Sequence, residues 1–248
     1  CAFCGTPMQR EAARVAEGRV PVDGVLPFGI YRAEARAALA RWVRSRWFAP
    51  SRFRREGIDG RFSGVYLPFW TFDSHTLNDW SGRRGDHYHV TVGSGKNRRR
   101  VRRTRWRSVS GRFERFFDDV LVLACSREDE SLVDRVNSWP LDRLMPYDQA
   151  YLSGFLARTY DVELDAGFES ARQRMDEALR ADVRRRIGGD EQQIHHLHTV
   201  HGPISYKHVL LPLWLLSYRW KSRTYRVVVN AVNGSVSGET SSGGLARL

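Results

Sequence analysis

The chain has 248 residues, of which 42% are hydrophobic, and its 40 basic and 28 acidic side chains give a net charge of +12. This composition supports a packed core and excludes a disordered chain, and three cysteines are too few for a disulfide framework. The positive charge favours anionic partners such as nucleic acid, acidic proteins or lipid headgroups.

The first eight residues carry the motif C-A-F-C-G, in which Cys1 and Cys4 have the spacing of a zinc knuckle. A structural zinc ion needs four ligands, and this motif supplies two, so it is predicted to be one knuckle of a zinc ribbon. Two other interpretations stay open: a half-site that holds no zinc in this chain, and a lipidated Cys1. Because the chain begins with cysteine and shows no targeting pattern, we expect a further segment upstream.

A polar linker is predicted for 9–31, followed by a first α+β module over 32–125. Apolar residues at helical spacing predict a helix over 32–48, and Pro50 favours its end. The β-forming segment 64–73 predicts a strand, and glycines predict a turn over 82–85. Further strands are expected at 87–92, 101–109 and 119–124.

The second module, 126–248, is predicted to contain helices and a β meander. A short helix is expected over 147–160 and a long one over 165–187, which Gly188 and Gly189 should end. Strands are expected at 209–220 and 224–232, and Asn233-Gly234 predicts a type I′ hairpin turn.

The two modules contain similar segments, G-V-Y-L-P-F-W-T-F-D at 64–73 and H-V-L-L-P-L-W-L-L-S at 208–217. They indicate either a duplicated module or two buried strands that are alike by chance. In both cases Trp70 and Trp214 should be buried. The predicted fold class is α+β: two antiparallel β-rich modules with Pro-aromatic strands, packed with about three amphipathic helices and preceded by half a zinc ribbon.

Motifs along nearly the whole chain resemble a bacterial family of zinc-ribbon proteins, often labelled primosomal protein N-prime-like or replication-restart helicase-like. The matching motifs are C-A-F-C-G-T-P, L-P-F-G-I, W-F-A-P, G-V-Y-L-P-F-W-T-F-D, G-R-R-G-D-H-Y, F-D-D-V-L-V, Y-L-S-G-F, G-G-D and K-H-V-L-L-P-L-W-L-L-S-Y-R-W. The resemblance implies that 1–8 is the second knuckle of a zinc ribbon whose first knuckle lies upstream. It also implies a zinc cofactor and a membrane-scaffold partner of the stomatin type. The chain departs from the family at G-E-T-S-S-G-G near its end and at Gln193.

A run of arginines with Trp106 among them is the candidate anion or nucleic-acid site, because guanidinium groups neutralise phosphates and an indole stacks on bases. Its predicted residues are Arg98, Arg99, Arg100, Arg102, Arg103 and Arg105, with Arg107 close by. The alternative is a solvated edge strand that charge protects from aggregation.

Other chemical signals are weaker. G-S-G-K at 93–96 lacks the first glycine and the hydroxyl residue of a phosphate loop, so it predicts a turn and the chain carries no helicase motor. A histidine cluster could bind a metal but is expected to be an exposed polar segment: His195, His196, His198 and His201. Asp118, Asp119 and Asp190 are catalytic candidates by residue type alone, and Cys125 is expected to be a buried thiol.

The sequence therefore predicts a non-catalytic, cytoplasmic zinc-ribbon adaptor that holds a protein partner in a larger assembly. No apolar run reaches the length of about 20 residues that a membrane span needs. The first alternative is a nucleic-acid-binding accessory factor of DNA replication or repair. The second is an enzyme of unrecognised type.

Overall fold

The structure is a computed structural model that describes residues 19–45, 61–126, 130–220, 223–239 and 245–246. It is mostly β, with 51% strand and 26% helix, and its strands join in one mixed sheet. The predicted α+β class with two separate antiparallel modules is therefore wrong. The predicted half ribbon at Cys1 and Cys4 lies outside the described residues.

Nine strands and three α-helices are present in the described ranges. The strands are β1 (Gly24–Val25), β2 (Arg61–Val92), β3 (Arg99–Leu123), β4 (Met145–Pro146), β5 (Leu156–Ala157), β6 (Glu191–Trp220), β7 (Arg223–Asn230), β8 (Val236–Glu239) and β9 (Leu245–Ala246). The helices are α1 (Arg32–Arg44), α2 (Glu130–Asp134) and α3 (Leu164–Ile187).

The strand order of the sheet is β3-β2-β6-β7-β8-β9. Three of the two-residue strands, β1, β4 and β5, add pairs outside this order. Strand β1 pairs with β6 in parallel and with β4 in antiparallel orientation, and β5 pairs with β2 in parallel orientation. These short parallel pairs make the sheet mixed rather than antiparallel.

The chain forms two compact units, each assembled from segments that are distant in sequence. The described residues of the first unit fall within 19–71, 121–167 and 207–246, and those of the second fall within 72–120 and 168–206. Each unit is thus discontinuous in sequence, whereas each predicted module, 32–125 and 126–248, is one continuous range.

The first unit contains an internal repeat built around the similar segments 64–73 and 208–217. Each segment pairs in parallel with a two-residue strand that precedes the helix of the other copy. Strand β1 precedes α1 and pairs with Val209 and Leu210, whereas β5 precedes α3 and pairs with Val65 and Tyr66. The pairing is reciprocal, so the paired strand segments of the two copies are interlocked within the first unit.

The buried tryptophans of the two segments make equivalent hydrogen bonds. Trp70 donates from Nε1 to the carbonyl of Val162 at 2.8 Å, and Trp214 donates to the carbonyl of Ile30 at 2.9 Å. Each accepting residue stands just before the helix of its copy. Both tryptophans are buried, as predicted.

The main chain repeats the same pattern. Gly29 and Ile30 both donate to the carbonyl of Ala231, and Asp161 and Val162 both donate to the carbonyl of Ala124. Ala124 in turn donates to Pro68 at 2.9 Å, and Ala231 donates to Pro212 at 3.2 Å. This repetition of hydrogen bonds supports duplication over chance similarity of two strands.

The core of the first unit lies between the repeated strands and α1, α2 and neighbouring segments. Buried aliphatic residues of β2 and β6 pack with Leu132 and Val133 of α2. A second cluster packs Leu39 and Trp42 of α1 against Trp214. These contacts bury the apolar stripe that predicted α1.

The second unit consists of the remaining parts of the three long strands and most of α3. Hydrogen bonds join Thr76 to Arg115 and Asn78 to Phe113, so β2 and β3 run in opposite directions. Other bonds join Asp73 to Ser205, Asn78 to Thr199 and His87 to Glu191, so β6 also runs opposite to β2. One face of this three-stranded sheet packs on α3, where Trp80 contacts Val183 and Ile187.

Several local predictions are confirmed and several are wrong. The helix predicted over 165–187 is α3, and Gly188 and Gly189 follow it with φ of 63° and 76°. The helix predicted over 147–160 is wrong, since only a 3₁₀ turn forms at Gln149–Leu152. The turn predicted at 82–85 lies inside β2, and Gly234 alone of the Asn-Gly pair has positive φ, which is not type I′ geometry.

None of the helices in the described ranges combines the length and apolar composition that crossing a bilayer requires.

Candidate functional surfaces

The predicted arginine run occupies the start of β3 and the residue before it. Its side chains are exposed: Arg98, Arg99, Arg100, Arg102, Arg103, Arg105 and Arg107. We call these seven residues the arginine end. This placement is compatible with the prediction of an exposed basic strand. Binding of an anion or a nucleic acid by these arginines stays a prediction.

Aromatic rings lie beneath arginines at the same end of the second unit. Arg105 stands over the ring of Tyr88 at 5.1 Å, and Arg83 stands over Trp106 at 5.6 Å. Such cation–π contacts hold guanidinium groups in place while their hydrogen-bond donors stay available. The arrangement could engage a phosphate or carboxylate.

Carboxylates are interleaved with the arginine end. Glu191 accepts hydrogen bonds from His87 at 2.6 Å and Thr104 at 2.8 Å, and these bonds lower its pKa. Asp86 lies 3.7 Å from Arg107. The local charge is therefore mixed and less positive than the sequence run suggests.

The face of the second unit opposite α3 carries exposed side chains from all three strands. Along β2, alternate residues point away from the α3 side, and Leu77 on this face is 48% exposed. We call this the exposed face; by strand alternation it includes Asp73, His75, Leu77, Asp79, Arg112, Glu114, Phe116, Asp118, His196, His198 and Val200. Ser205 joins it through its hydrogen bond to Asp73.

Apolar residues occupy the middle of the exposed face. Phe116 is 62% exposed and Val200 is 50% exposed. Because Asn78 and Thr199 are hydrogen-bonded neighbours, Leu77 and Val200 stand side by side on the opposite face. Polar pairs flank them: Arg112 forms an ion pair with Asp79, and the imidazole of His75 lies 3.2 Å from the carboxylate of Glu114.

Three aspartates meet at one end of the exposed face. The carboxylates of Asp73, Asp118 and Asp119 lie within 4.8 Å of one another, a spacing that could hold a cation. The sequence indicated Asp118 and Asp119 by residue type but missed Asp73, because no sequence pattern links positions so far apart. The carboxylate of Asp73 accepts bonds from the main chain of Asp119 at 2.7 Å and from Ser205 at 3.0 Å.

The predicted histidine cluster is spread over β6. His196 and His198 stack with ring centroids 6.4 Å apart, whereas His201 faces Ser74, with its Nδ1 3.2 Å from the hydroxyl. Burial lowers the pKa of His201, and the positive charge of Arg172 lowers it further. In the part of the chain that the structure describes, no three of these histidines converge as metal ligands.

Cys125 is buried, as expected, and Arg158 donates to its sulfur at 3.3 Å. Cys1 and Cys4 lie outside the described residues. The zinc site therefore stays a prediction.

Asp190, the remaining carboxylate that the sequence indicated, accepts a hydrogen bond from the main chain of His87 at 2.6 Å.

One histidine of the first unit is buried in an aromatic environment. His208 lies between Trp70 and Tyr160, and its Nδ1 is 3.2 Å and 3.1 Å from the carbonyls of Val20 and Pro21. Carbonyls accept, so Nδ1 carries the proton of the neutral ring. Nε2, the atom that further protonation would charge, is buried.

Burial lowers the pKa of His208, although the carbonyl contacts and Asp23 act in the opposite direction and Arg19 acts with burial. The unfolded chain then binds this proton at higher pH than the folded chain does. Stability is therefore complete above the ordinary histidine pKa of about 6.5 and falls as the pH drops through the lower folded value.

We expect the free energy of unfolding to decline between about pH 7 and pH 5, and His208→Gln to flatten that decline. Urea titrations across this range measure both slopes. His196→Gln, an exposed replacement, is the matched control and should keep the wild-type slope. Equal slopes for wild type and His208→Gln would contradict the assignment.

The chain is similar to the uncharacterized protein YdjG of Bacillus subtilis (strain 168), with 23% identity over 231 residues. The similarity covers 90% of this chain and 64% of the relative, so the chain spans less than two thirds of that protein. No family model matches the chain, and no solved structure matches it. The resemblance to the zinc-ribbon family stays a prediction.

Proposed function

We propose that the protein is a non-catalytic, cytoplasmic zinc-ribbon adaptor that holds a protein partner in a larger assembly. The observation that carries this proposal is the exposed face, where Leu77, Phe116 and Val200 present apolar surface within a rim of charges. Apolar centres with polar rims are typical of protein–protein interfaces. The family resemblance favours a membrane-scaffold protein of the stomatin type as the partner.

The proposal is tested by affinity purification of the complete protein, with nuclease treatment of the extract. We expect a protein partner that survives nuclease and is lost when Leu77→Glu and Val200→Glu are combined, because two carboxylates would be desolvated in the interface. Met145→Glu is the matched control, since Met145 is 44% exposed and belongs to the first unit. A partner retained by the double variant would contradict the use of the exposed face.

Zinc binding is the second part of the proposal, with thiolates from Cys1 and Cys4. We expect Cys1→Ser combined with Cys4→Ser to lower the zinc content of the complete protein, because thiolates are the ligands that structural zinc prefers. The remaining fold should persist, since both units have their own buried cores. Metal analysis checks this, and Cys125→Ser is the matched control. Unchanged zinc content in the double variant would contradict the site.

Nucleic-acid binding is the alternative function, and the arginine end is the observation that favours it. A phosphate contact there should weaken steeply with salt. Reversal of Arg98, Arg99 and Arg100 to Glu should remove it, whereas reversal of exposed α3 arginines should not; the latter are Arg172, Arg180 and Arg184. Tight binding of single-stranded DNA at physiological salt, lost only in the first variant, would place this function above the adaptor.

A further inference from the structure

We propose that a second copy of this chain pairs with the free edge of β3, in antiparallel orientation, to form a two-fold symmetric dimer. Strand β3 stands at the end of the strand order, and no other strand of the described ranges pairs with its outer side. An edge strand offers a row of main-chain donors and acceptors to another strand. This inference goes beyond the adaptor proposal because it concerns self-association.

Charge is distributed unevenly along β3. Its first part contains the arginine end, whereas Glu114 and Asp118 follow in its second part. The arginines of that second part are already engaged, since Arg112 pairs with Asp79 and Arg115 pairs with Asp182. The formal charge along this edge therefore changes from positive in the first part to weakly negative in the second, where Glu114 also lies 3.2 Å from His75.

The negative end is more concentrated than β3 alone indicates. The carboxylate of Asp118 lies within 4.8 Å of those of Asp73 and Asp119. A carboxylate is stabilised in its charged form by a cationic side chain close to it. A guanidinium group from a second copy would approach the carboxylate of Asp118.

The side chains that would meet lie on one face of the strand. From Arg103 to Phe116, exposed and half-buried residues of β3 alternate, except that Arg107 and Ser108 are both exposed, as expected of a one-residue bulge. The bulge places Arg103, Arg105 and Arg107 on the same face as three later residues: Glu114, Phe116 and Asp118.

One antiparallel register matches these faces around a two-fold axis at Gly111. It places Arg103 opposite Asp118, Arg107 opposite Glu114, and Arg105 opposite the exposed ring of Phe116. The symmetry repeats each pair twice. A parallel pair would instead bring arginines against arginines, so the charges select the antiparallel orientation.

The other edge of this three-stranded sheet is less suited to pairing. Strand β6 contains Pro203, which has no main-chain N–H to donate and is typical of protected edges. The free edge of β3 has no proline between Arg99 and Leu123. This difference assigns the dimer contact to β3.

The test uses sedimentation equilibrium on the chain and on two charge-reversed variants. We expect the wild type to have twice the monomer mass of 28.6 kDa and to dissociate as salt rises. The first variant combines Arg103→Glu with Arg107→Glu, and the second combines Glu114→Arg with Asp118→Arg. Each variant alone should be monomeric at concentrations where the wild type is dimeric, because like charges face each other.

An equimolar mixture of the two variants should regain the dimer, since each reversed charge then meets an opposite charge. The matched control, Arg99→Glu with Arg100→Glu, changes the same number of charges without altering any of the three matched pairs and should stay dimeric. Circular dichroism checks that all variants fold. A monomeric wild type, dimeric single variants, or a monomeric mixture of folded variants would overturn the proposal.

Discussion

Replacing Trp70 with Ala should lower the free energy of unfolding by about 3–5 kcal/mol. The indole is 0% exposed and contacts the rings of Tyr160 and His208 at centroid distances of 5.0 Å and 4.9 Å. The substitution removes this packing and also leaves the carbonyl of Val162 without the bond that Nε1 donates. A loss of this size is a large part of the stability of an ordinary domain.

Urea or thermal unfolding measures the effect, and two further variants separate its causes. Trp70→Phe keeps an aromatic ring but loses the donor, so its cost should be smaller, about 1–3 kcal/mol. Trp106→Ala is the matched control, because Trp106 is only half-buried and should cost less than about 1.5 kcal/mol. Equal losses at Trp70 and Trp106 would contradict the assignment of Trp70 to the core.

The tight contact of Trp70 with the helix start explains one difference between the two copies of the repeat. A Cβ atom on Gly167 would lie 2.6 Å from the indole, so glycine is required at this position of α3. Ala35 of α1 packs in the cluster that contains Trp214, and there a methyl group is accommodated. The copies share their hydrogen bonds while differing in packing detail.

Sequence periodicity predicted the elements whose side chains repeat over several turns or many residues. Helix α3 has a long apolar stripe that ends at Gly188, and the apolar segments around Trp70 and Trp214 predicted buried strands. Such signals are local, so they are readable without knowledge of the fold.

The interlocked pairing could not be predicted in the same way. Strands β1 and β5 contain two residues each, too few to show alternation, and their partners are distant in sequence. Gly82 and Gly85 predicted a turn, but in the structure they allow close approach: a Cβ on Gly82 would lie 2.3 Å from the carbonyl of Gln193. Tertiary contacts thus overrode the local preference for a turn.

Of the two candidate surfaces, the arginine end was predictable from the sequence and the exposed face was not. The density of arginines alone indicated an exposed basic strand, because such side chains are rarely buried without partners. The exposed face was not predicted, since it combines Leu77, Phe116 and Val200 from three strands. Only the register of the strands brings them together.

Replacing Asp182 with Ala should be the other strongly destabilising change, with a cost of about 2–4 kcal/mol. The side chain of Asp182 is 8% exposed and binds Arg115 of β3 and Arg185 of α3. The side chain of Arg115 is 33% exposed and stands over Phe117 at 4.4 Å, so removal of the carboxylate leaves a partly buried cation without its counter-charge. Arg185 is largely exposed and contributes little.

The same helix supplies the matched control, because Asp176 pairs with Arg180 at 2.7 Å and is 45% exposed. Asp176→Ala should cost less than about 1 kcal/mol, since water screens an exposed pair. Combining Asp182→Leu with Arg115→Met removes both charges and should recover much of the loss, because no unpaired buried charge remains. Chemical unfolding of the wild type and the three variants measures these free energies. Equal losses for Asp182→Ala and Asp176→Ala, or no recovery in the apolar double variant, would show that burial does not increase the contribution of the Asp182–Arg115 pair to stability.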